Sequence, residues 1–477
     1  MKSVREVCVV LTTSWICLAA LPAVSQTLGA QAPLAAGQLL EAVVCESDAT
    51  QSYALYLPSA YTPAKRWPII YFFDPGGRGK RPVELYKDLA EKYGVVMAGS
   101  NNSRNFSNSD STKSVNAIWQ DTHSRLALDE RRTYTSGFSG GARVAGSMAA
   151  SCGPCLIGGV IAHGAGYPNS NKSAARDRMI YFFAVGDQDF NWPEVIGIRR
   201  EREEQGLPYR VRVFHGTHQW APAEVMQDAI EWMTLKAMQA GSQPRDADFI
   251  ERFFRRTQTE ADDARKSGDT IAQLGAYRSL VSDSGGLKDV SEYEKKLAEL
   301  KKSVELKTAL RKEQEQIADQ QSLETEIEPK LQALVAGSAE DSFGLRTEVL
   351  QDMRHLKDQA THGKSEEKRL VATRAFDGVW VEGIEAGQQE FEARHFEKAE
   401  ASFQLLSSVS DDPWPVLLLA ETRTAQGNKK QAIKDLREAI RRGLKSAEAL
   451  EQDANLRALS SEAEFQKILE DLRTAAK

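Results

Sequence analysis

Cysteine and histidine are both scarce, five and seven in 477 residues. That excludes a small disulfide-dense scaffold and a clustered zinc site. Positive charge is not in excess. Lys and Arg number 61 against 67 Asp and Glu, a net charge of −6, which excludes a generally basic, nucleic-acid-coating protein. Glycine (33) and proline (16) are too few for a collagen-like or low-complexity chain. Beyond the N-terminus no apolar run is long enough to span a membrane. There is no Walker-type loop and no Gly-x-Gly-x-x-Gly segment, so no nucleotide cofactor is expected. What is present is 41% hydrophobic and 27% charged residues, enough for a packed core. The length suggests roughly three domains, or one large domain with a helical appendage.

The exception to the missing apolar runs lies at the start. Lys2 and Arg5 precede an apolar run from Val7 to about Ala23, and Ala23-Val-Ser25 offers small residues for cleavage. This layout predicts a secretory signal over residues 1–25, and hence a secreted or periplasmic protein with no transmembrane segment after cleavage. An uncleaved anchor is the competing reading; Thr12, Thr13 and Ser14 interrupt the run and argue against it. Three cysteines then remain: Cys45, Cys152 and Cys155. Cys152-Gly-Pro-Cys155 has redox-pair spacing, but it follows a helical stretch and precedes a strand, the reverse of the order that lowers a thiol pKa. A small structural disulfide is expected there, and a buried unpaired thiol at Cys45.

The chain divides into two chemically different parts. Apolar or β-branched runs occur at 39–45, 52–58, 68–73, 94–99, 132–136, 156–162, 179–185 and 209–214. Helical patterns lie at 82–92, 114–127, 140–151, 192–205 and 219–239. Such alternation predicts an α/β domain over 38–240 with a doubly wound, mostly parallel sheet, its two leading strands paired antiparallel. Gln239-Ala-Gly-Ser-Gln-Pro reads as a linker. From 248 onward nearly everything is helical: a charged, coiled-coil-like region over 248–375, then a repeat-like helical domain over 380–475. Val290, Tyr293, Leu297, Leu300 and Val304 share three-four spacing and predict one amphipathic seam, with breaks near Gly285-Gly286, Gly337 and Gly363.

A weak repeat marks the end of the chain. Phe396, Ala399, Phe403 and Leu406 are followed 33 residues later by Lys429, Ala432, Leu436 and Ala439, and Gly387 and Ala420 keep the same offset. Small residues there let two helices cross closely. The period resembles that of tetratricopeptide repeats, which implies a surface for a protein partner.

The chemistry concentrates in Thr135-Ser-Gly137-Phe138-Ser139-Gly140-Gly141-Ala-Arg. This is Gly-x-Ser-x-Gly placed after a strand and before a helix. Such an elbow holds a serine in a strained turn, and the flanking glycines avoid clashes. The helix that starts there favours a developing anion, and the N–H of Gly140 can donate to it. A serine nucleophile needs a base and an orienting acid. His215 and His218 lie just past the last predicted strand, and His218, farther into the loop, is favoured as base. Asp187 and Asp189 follow the preceding strand, and Asp189, with more room to turn back, is favoured as acid. A second oxyanion donor should come from Asp74-Pro75-Gly76-Gly77; proline cannot donate, which leaves Gly76 or Gly77. Asn101, Asn102, Arg104, Trp192 and Trp220 could line a substrate pocket or equally brace their loops.

These residues resemble a family: secreted α/β-hydrolase-fold esterases of the feruloyl esterase and polyhydroxybutyrate-depolymerase type, over about residues 50–240. The resemblance is carried by Trp67-Pro-Ile-Ile-Tyr-Phe-Phe-Asp-Pro, Gly137-Phe-Ser-Gly-Gly-Ala-Arg-Val, Gly186-Asp-Gln-Asp-Phe-Asn and Gly216-Thr-His-Gln-Trp. It implies an ester substrate, Ser139 as nucleophile, His218 as base and Asp189 as acid, with no metal or other cofactor. The family often has His-Gly in the oxyanion loop, where this chain has Asp74-Pro-Gly-Gly. Only 49 residues separate Ser139 from Asp189, too few for an inserted lid domain, so an open site is expected. A different class of protein is the alternative: an inactive hydrolase-fold scaffold whose repeats bind a partner. A peptidase on the same fold ranks lower, because no propeller or lid is visible.

Overall fold

The computed structural model describes residues 34–105, 111–151, 157–168, 179–337 and 343–475. The expected leader and the Cys152–Cys155 pair lie outside these residues. Residues 36–477 form one compact unit.

Eight strands build one sheet: β1 (Leu39–Cys45), β2 (Asp48–Tyr56), β3 (Trp67–Phe73), β4 (Val96–Ser100), β5 (Leu128–Phe138), β6 (Gly159–His163), β7 (Tyr181–Gly186) and β8 (Tyr209–Phe214). Their spatial order is β1-β2-β4-β3-β5-β6-β7-β8. β1 pairs antiparallel with β2, and β2 antiparallel with β4. All later pairings are parallel. The helices between and after them are α1 (Lys80–Tyr93), α2 (Ser111–Arg125), α3 (Gly140–Ser151), α4 (Trp192–Glu204) and, following β8, α5 (Ala223–Gln239).

The parallel strands read as unbroken apolar runs because both faces are covered. Ile70 and Phe72 of β3, Met97 of β4 and Phe182 of β7 pack with Val83 and Tyr86 of α1 and Met226, Trp232 and Met233 of α5. On the other face Tyr71 bonds Thr122 of α2 at 2.7 Å, and Thr135 bonds the Ala145 carbonyl of α3 at 3.0 Å. Cys45 is a buried free thiol, and burial pushes its pKa up to about 12.

The helical part begins with α6 (Ala247–Ser267), α7 (Thr270–Ser284) and α8 (Ser291–Leu300). Ile250 and Phe253 of α6 belong to the core under the sheet. Above it, β8 would be a bare edge. Its Arg210 and Arg212 instead enter a network with Asp228 and Glu260, and Arg256 of α6 joins at Asp228 and Glu231. Asp283 of α7 closes it, 3.3 Å from Arg210.

The expected seam from Val290 to Val304 is not continuous. Tyr293, Leu297 and Leu300 pack with Val290 against α6 and α7, but Val304 is 72% exposed. Ser303 is the cause: its hydroxyl accepts from the Leu306 N–H at 3.1 Å and caps a new helix, α9 (Val304–Ala336). At 33 residues α9 is about 50 Å long. α10 (Phe343–His362), α11 (Glu366–Glu392), α12 (Phe396–Val409), α13 (Trp414–Ala425), α14 (Lys429–Arg441), α15 (Ala447–Gln452), a 3-10 turn (Ala454–Leu459) and α16 (Ala463–Ala475) complete the chain. α11 runs unbroken through residues 375–380, where a boundary was expected. Gly387 of α11 allows a close crossing with α12, since a Cβ there would lie 2.5 Å from the Phe403 ring.

Candidate active site

The turn from β5 into α3 places Ser139. Its φ is +54°, one of two positive values among the described non-glycine residues. The turn is over-determined. Ser139 N–H donates to the His163 carbonyl and Ala142 N–H to the Ser139 carbonyl, both at 2.9 Å. A Cβ on Gly137 would fall 2.0 Å from the Gly141 carbonyl oxygen, and one on Gly141 2.0 Å from that of Phe73. Only glycine fits at either position. The N–H groups of Gly140 and Gly141 open α3 and have no partner within the helix, so they face the anion side of the turn.

Asp189 lies in the loop between β7 and α4 and is fully buried. Its Oδ1 accepts from Asn191 N–H at 2.8 Å and meets His218 Nδ1 at 2.9 Å. That bond selects the tautomer with the proton on Nδ1 and leaves Nε2 as the basic lone pair. The imidazole is wedged between Phe138 and Phe190, with ring centroids 4.5 and 4.3 Å away. Gly164 leaves room for the pair, since a Cβ there would lie 2.9 Å from Asp189 Oδ2 and 3.1 Å from His218 Nδ1. Asp187 and His215 meet elsewhere. Asp187 accepts from Gly216 N–H and contacts the exposed His215, both at 3.0 Å; it braces the histidine loop, and its carboxylate raises the His215 pKa.

The oxyanion loop differs from expectation. Gly76 N–H donates to Asp74 Oδ1 at 2.9 Å and Gly77 N–H to the Asp74 carbonyl at 3.0 Å, so Asp74 occupies both. The side chain beside the elbow is Asn105 instead, whose amide sits where a Cβ on Gly140 would be, at 2.0–2.6 Å.

None of the five expected pocket residues lines the cavity that contains Ser139. Asn101 ties down the sheet edge through the Glu41 carbonyl and Ser52, at 3.1 and 3.2 Å, and the neighbouring Asn102 bonds Ser52 N–H and the Thr50 carbonyl. Arg104 lies over Gly77. Trp220 is buried, with its indole N–H on Asp74 Oδ2 at 2.9 Å. Trp192 is buried beneath the guanidinium of Arg374, 3.9 Å away. A large ring next to the site lowers the energy more by packing than by facing water.

The cavity, about 580 Å³, is lined by Asn105, Ser139, Gly140, Arg143, Phe190 and Asn191 on the sheet side. Its opposite wall comes from α9 and α11: Glu324, Glu328, Gly378, Val381, Glu382 and Glu385. The site is therefore walled on one side by helices, roughly 185 to 245 residues downstream of the elbow, rather than by an insertion. Arg143 is held by Glu194 at 2.8 Å. Burial raises the Glu324 carboxyl to about 7. Burial and then Glu382 raise Glu328 to about 7, and burial and then Asp189 raise Asp377 to about 6. None of these glutamates carried a sequence signal. On charged helices they read as a solvated face. Among the described residues no group of side chains has the makings of a metal site, and no helix is long and apolar enough to cross a membrane.

The sheet order, with serine at a strand-to-helix elbow and then Asp and His in chain order, defines an α/β-hydrolase fold followed by a largely helical region. No family model matches the chain, and no curated protein does. Solved structures with similar coordinates include a ferulic acid esterase, 16% identical over 40% of this chain and 94% of that one, with a TM-score of 0.33. The S-formylglutathione hydrolase FrmB of Staphylococcus aureus is 12% identical over 42% of this chain and 98% of its own, also at 0.33. Thermogutta terrifontis esterase 2 is 14% identical over 45% of this chain and 100% of its own, again at 0.33.

Proposed function

We propose that this chain is a serine hydrolase that cleaves carboxylic esters through an acyl-enzyme. The observation that carries the reading is the 2.9 Å bond from His218 Nδ1 to the buried Asp189, in a site where Phe190 both packs against His218 and lines the cavity of Ser139. Ser139 Oγ attacks the ester carbonyl carbon while His218 Nε2 takes its proton. The oxyanion is held by Gly140 N–H and the Asn105 side-chain amide. The intermediate collapses, the C–O bond to the alcohol breaks, and His218 returns the proton to the departing oxygen. Water then enters by the same route: His218 takes its proton, hydroxide adds to the acyl carbon, and Ser139 leaves reprotonated. Asp189 holds the imidazole and stabilises its cation.

The glutamate wall disfavours substrates that carry a carboxylate or phosphate, and the more so as pH rises through 7, where Glu324 and Glu328 take up their charge. Neutral or cationic esters are the expected substrates. Residues 1–25 support export, and the helical hairpins from 380 to 475 support a protein partner; neither is needed for the chemistry.

The test is hydrolysis of p-nitrophenyl acetate by residues 26–477 and by Ser139→Ala. Loss of turnover in the variant, with succinate half-esters slower than neutral ones, supports the reading. Equal rates in both proteins would refute it.

A further inference from the structure

We propose that the helical region is a working half of the catalytic centre, with Arg374 of α11 and Gln320 of α9 acting as positioning residues that hold Asp189 against His218. This inference rests on the reading of Ser139, Asp189 and His218 given above. Arg374 and Gln320 are each only 1% exposed. Arg374 Nε donates to the Asp187 carbonyl oxygen at 2.6 Å, its Nη1 donates to Gln316 Oε1 at 3.3 Å, and its plane covers Trp192. Gln320 Nε2 donates to the Phe190 carbonyl oxygen at 2.9 Å and to Glu324 Oε1 at 2.8 Å. The two helices thus grip the backbone two residues before and one residue after Asp189. Gly378 of α11 packs at the same joint: a Cβ there would lie 2.9 Å from Glu324 Oε1 and in ordinary contact with Phe190 Cβ at 3.5 Å.

The loop has restraints of its own. Asp189 N–H donates to the Gly186 carbonyl at 3.2 Å, and Trp192 N–H to the Asp189 carbonyl at 2.9 Å. Three bonds tie the loop's first half to the strand end and loop that carry His218: Asp187 N–H to the Phe214 carbonyl at 2.8 Å, Gln188 N–H to the Gly216 carbonyl at 2.9 Å, and Gly216 N–H to Asp187 Oδ1 at 3.0 Å. The two outside donors add a second anchor on either side of Asp189, on rigid helices, and Phe190 takes its backbone bond from Gln320. Burying a guanidinium is costly unless it is fully engaged. Here it spends its Nε on a backbone carbonyl beside the acid, an arrangement that a simple interdomain ion pair would not need. Arg374 and Gln320 touch neither substrate nor the reacting atoms, so their effect reaches the chemistry through the acid loop, by way of Asp189 and Phe190.

Full-length wild type, Arg374→Met, Arg374→Lys and Gln320→Met are compared by steady-state kinetics on p-nitrophenyl acetate and by the rate at which a fluorophosphonate–rhodamine probe labels Ser139. The expected result for Arg374→Met is a kcat about 10–100-fold lower with KM within about threefold, since a misplacement of about 1 Å can cost that much. Labelling should slow in parallel. Arg374→Lys, which can still donate to the Asp187 carbonyl, should recover part of the loss, and Gln320→Met should show a smaller loss of the same kind. If Arg374→Met does not fold, Gln320→Met decides. Folded variants with wild-type kcat, or with a change confined to KM, would overturn the proposal while leaving the esterase reading intact. A wild type that neither turns over nor labels would remove that reading, and the proposal with it.

Discussion

Replacing Gly141 by alanine tests the elbow with a single methyl group. The added Cβ would lie 2.0 Å from the Phe73 carbonyl oxygen, with the Phe73 carbonyl carbon at 2.6 Å, whereas real Cβ atoms essentially never come within 3.0 Å of a neighbour. The obstacle is backbone, so no rotamer change relieves it. α3 and β3 must separate by about 1 Å at this point, and overpacking of that kind costs about 1–3 kcal/mol. The consequence for activity is larger than for stability. β3 leads into the Asp74 loop, whose Pro75 carbonyl holds Asn105 N–H at 2.8 Å, while α3 carries the Gly140 N–H. The move would therefore pull apart the two sides of the oxyanion site. A displacement of about 1 Å predicts a kcat/KM about 100-fold lower. Ester hydrolysis would be measured alongside circular dichroism, to confirm that the variant is folded. A folded Gly141→Ala enzyme within about threefold of wild type would refute the claim that this contact sets the site.

Two further predictions concern the joint between sheet and helices. Burial alone would raise the Asp228 carboxyl, but Arg210, Arg212 and Arg256 outweigh it and hold it near 2 rather than 3.8. A depressed carboxylate stabilises the fold above about pH 4 and loses that contribution as pH falls toward 2, here about 2 kcal/mol. Asp228→Ala should cost about 3 kcal/mol at pH 7 in urea unfolding, because it strands buried guanidiniums, and its stability should fall less than that of wild type between pH 4 and pH 2. The glutamate wall behaves oppositely. Glu324 sits near 7 through burial, so its neutral form favours the fold below about pH 4, and that contribution fades as pH rises through 7. Glu324→Gln should remove this slope, with a melting temperature that drops less than that of wild type between pH 5 and pH 8, a difference on the order of 1 kcal/mol after solvent screening. Equal slopes would show that Glu324 ionises freely in the folded protein.

The sheet and the elbow were readable for related reasons. Strands buried on both faces must be apolar throughout, so Trp67–Phe73 and Tyr181–Gly186 stand out as runs. The glycines around Ser139 are dictated by contacts within a few residues or with one neighbouring strand. What stayed hidden depended on partners distant in sequence. Gly76 and Gly77 look free to donate until Asp74 is seen to occupy both N–H groups. Trp192 and Trp220 are drawn into packing, one beneath Arg374 and one onto Asp74. Val304 fits the apolar period of its neighbours, yet the Ser303 cap places it at the exposed start of another helix. Glu324 and Glu382 carry no mark that separates a cavity wall from a solvated helix.

The joint at the cavity explains why a hydrolase fold would keep such a large helical companion. All the groups proposed to make and break bonds come from the sheet side, where short loops on strand ends hold them within a fraction of an ångström. All the carboxylates of the opposite wall come from α9 and α11. On the proposed function, chemistry and selection are thus carried by different parts of the chain. A change on α9 or α11 that faces the cavity can alter which ester fits without moving Ser139, whereas a change at Arg374 or Gln320, on the same two helices, reaches the acid loop. The cavity-facing and loop-gripping residues are neighbours along each helix: Gln320 and Glu324 are one turn apart on α9, and Arg374 and Gly378 one turn apart on α11. Substrate choice and loop placement therefore share the same rigid elements, and any shift that opens the wall also loosens the grip on Asp187 and Phe190.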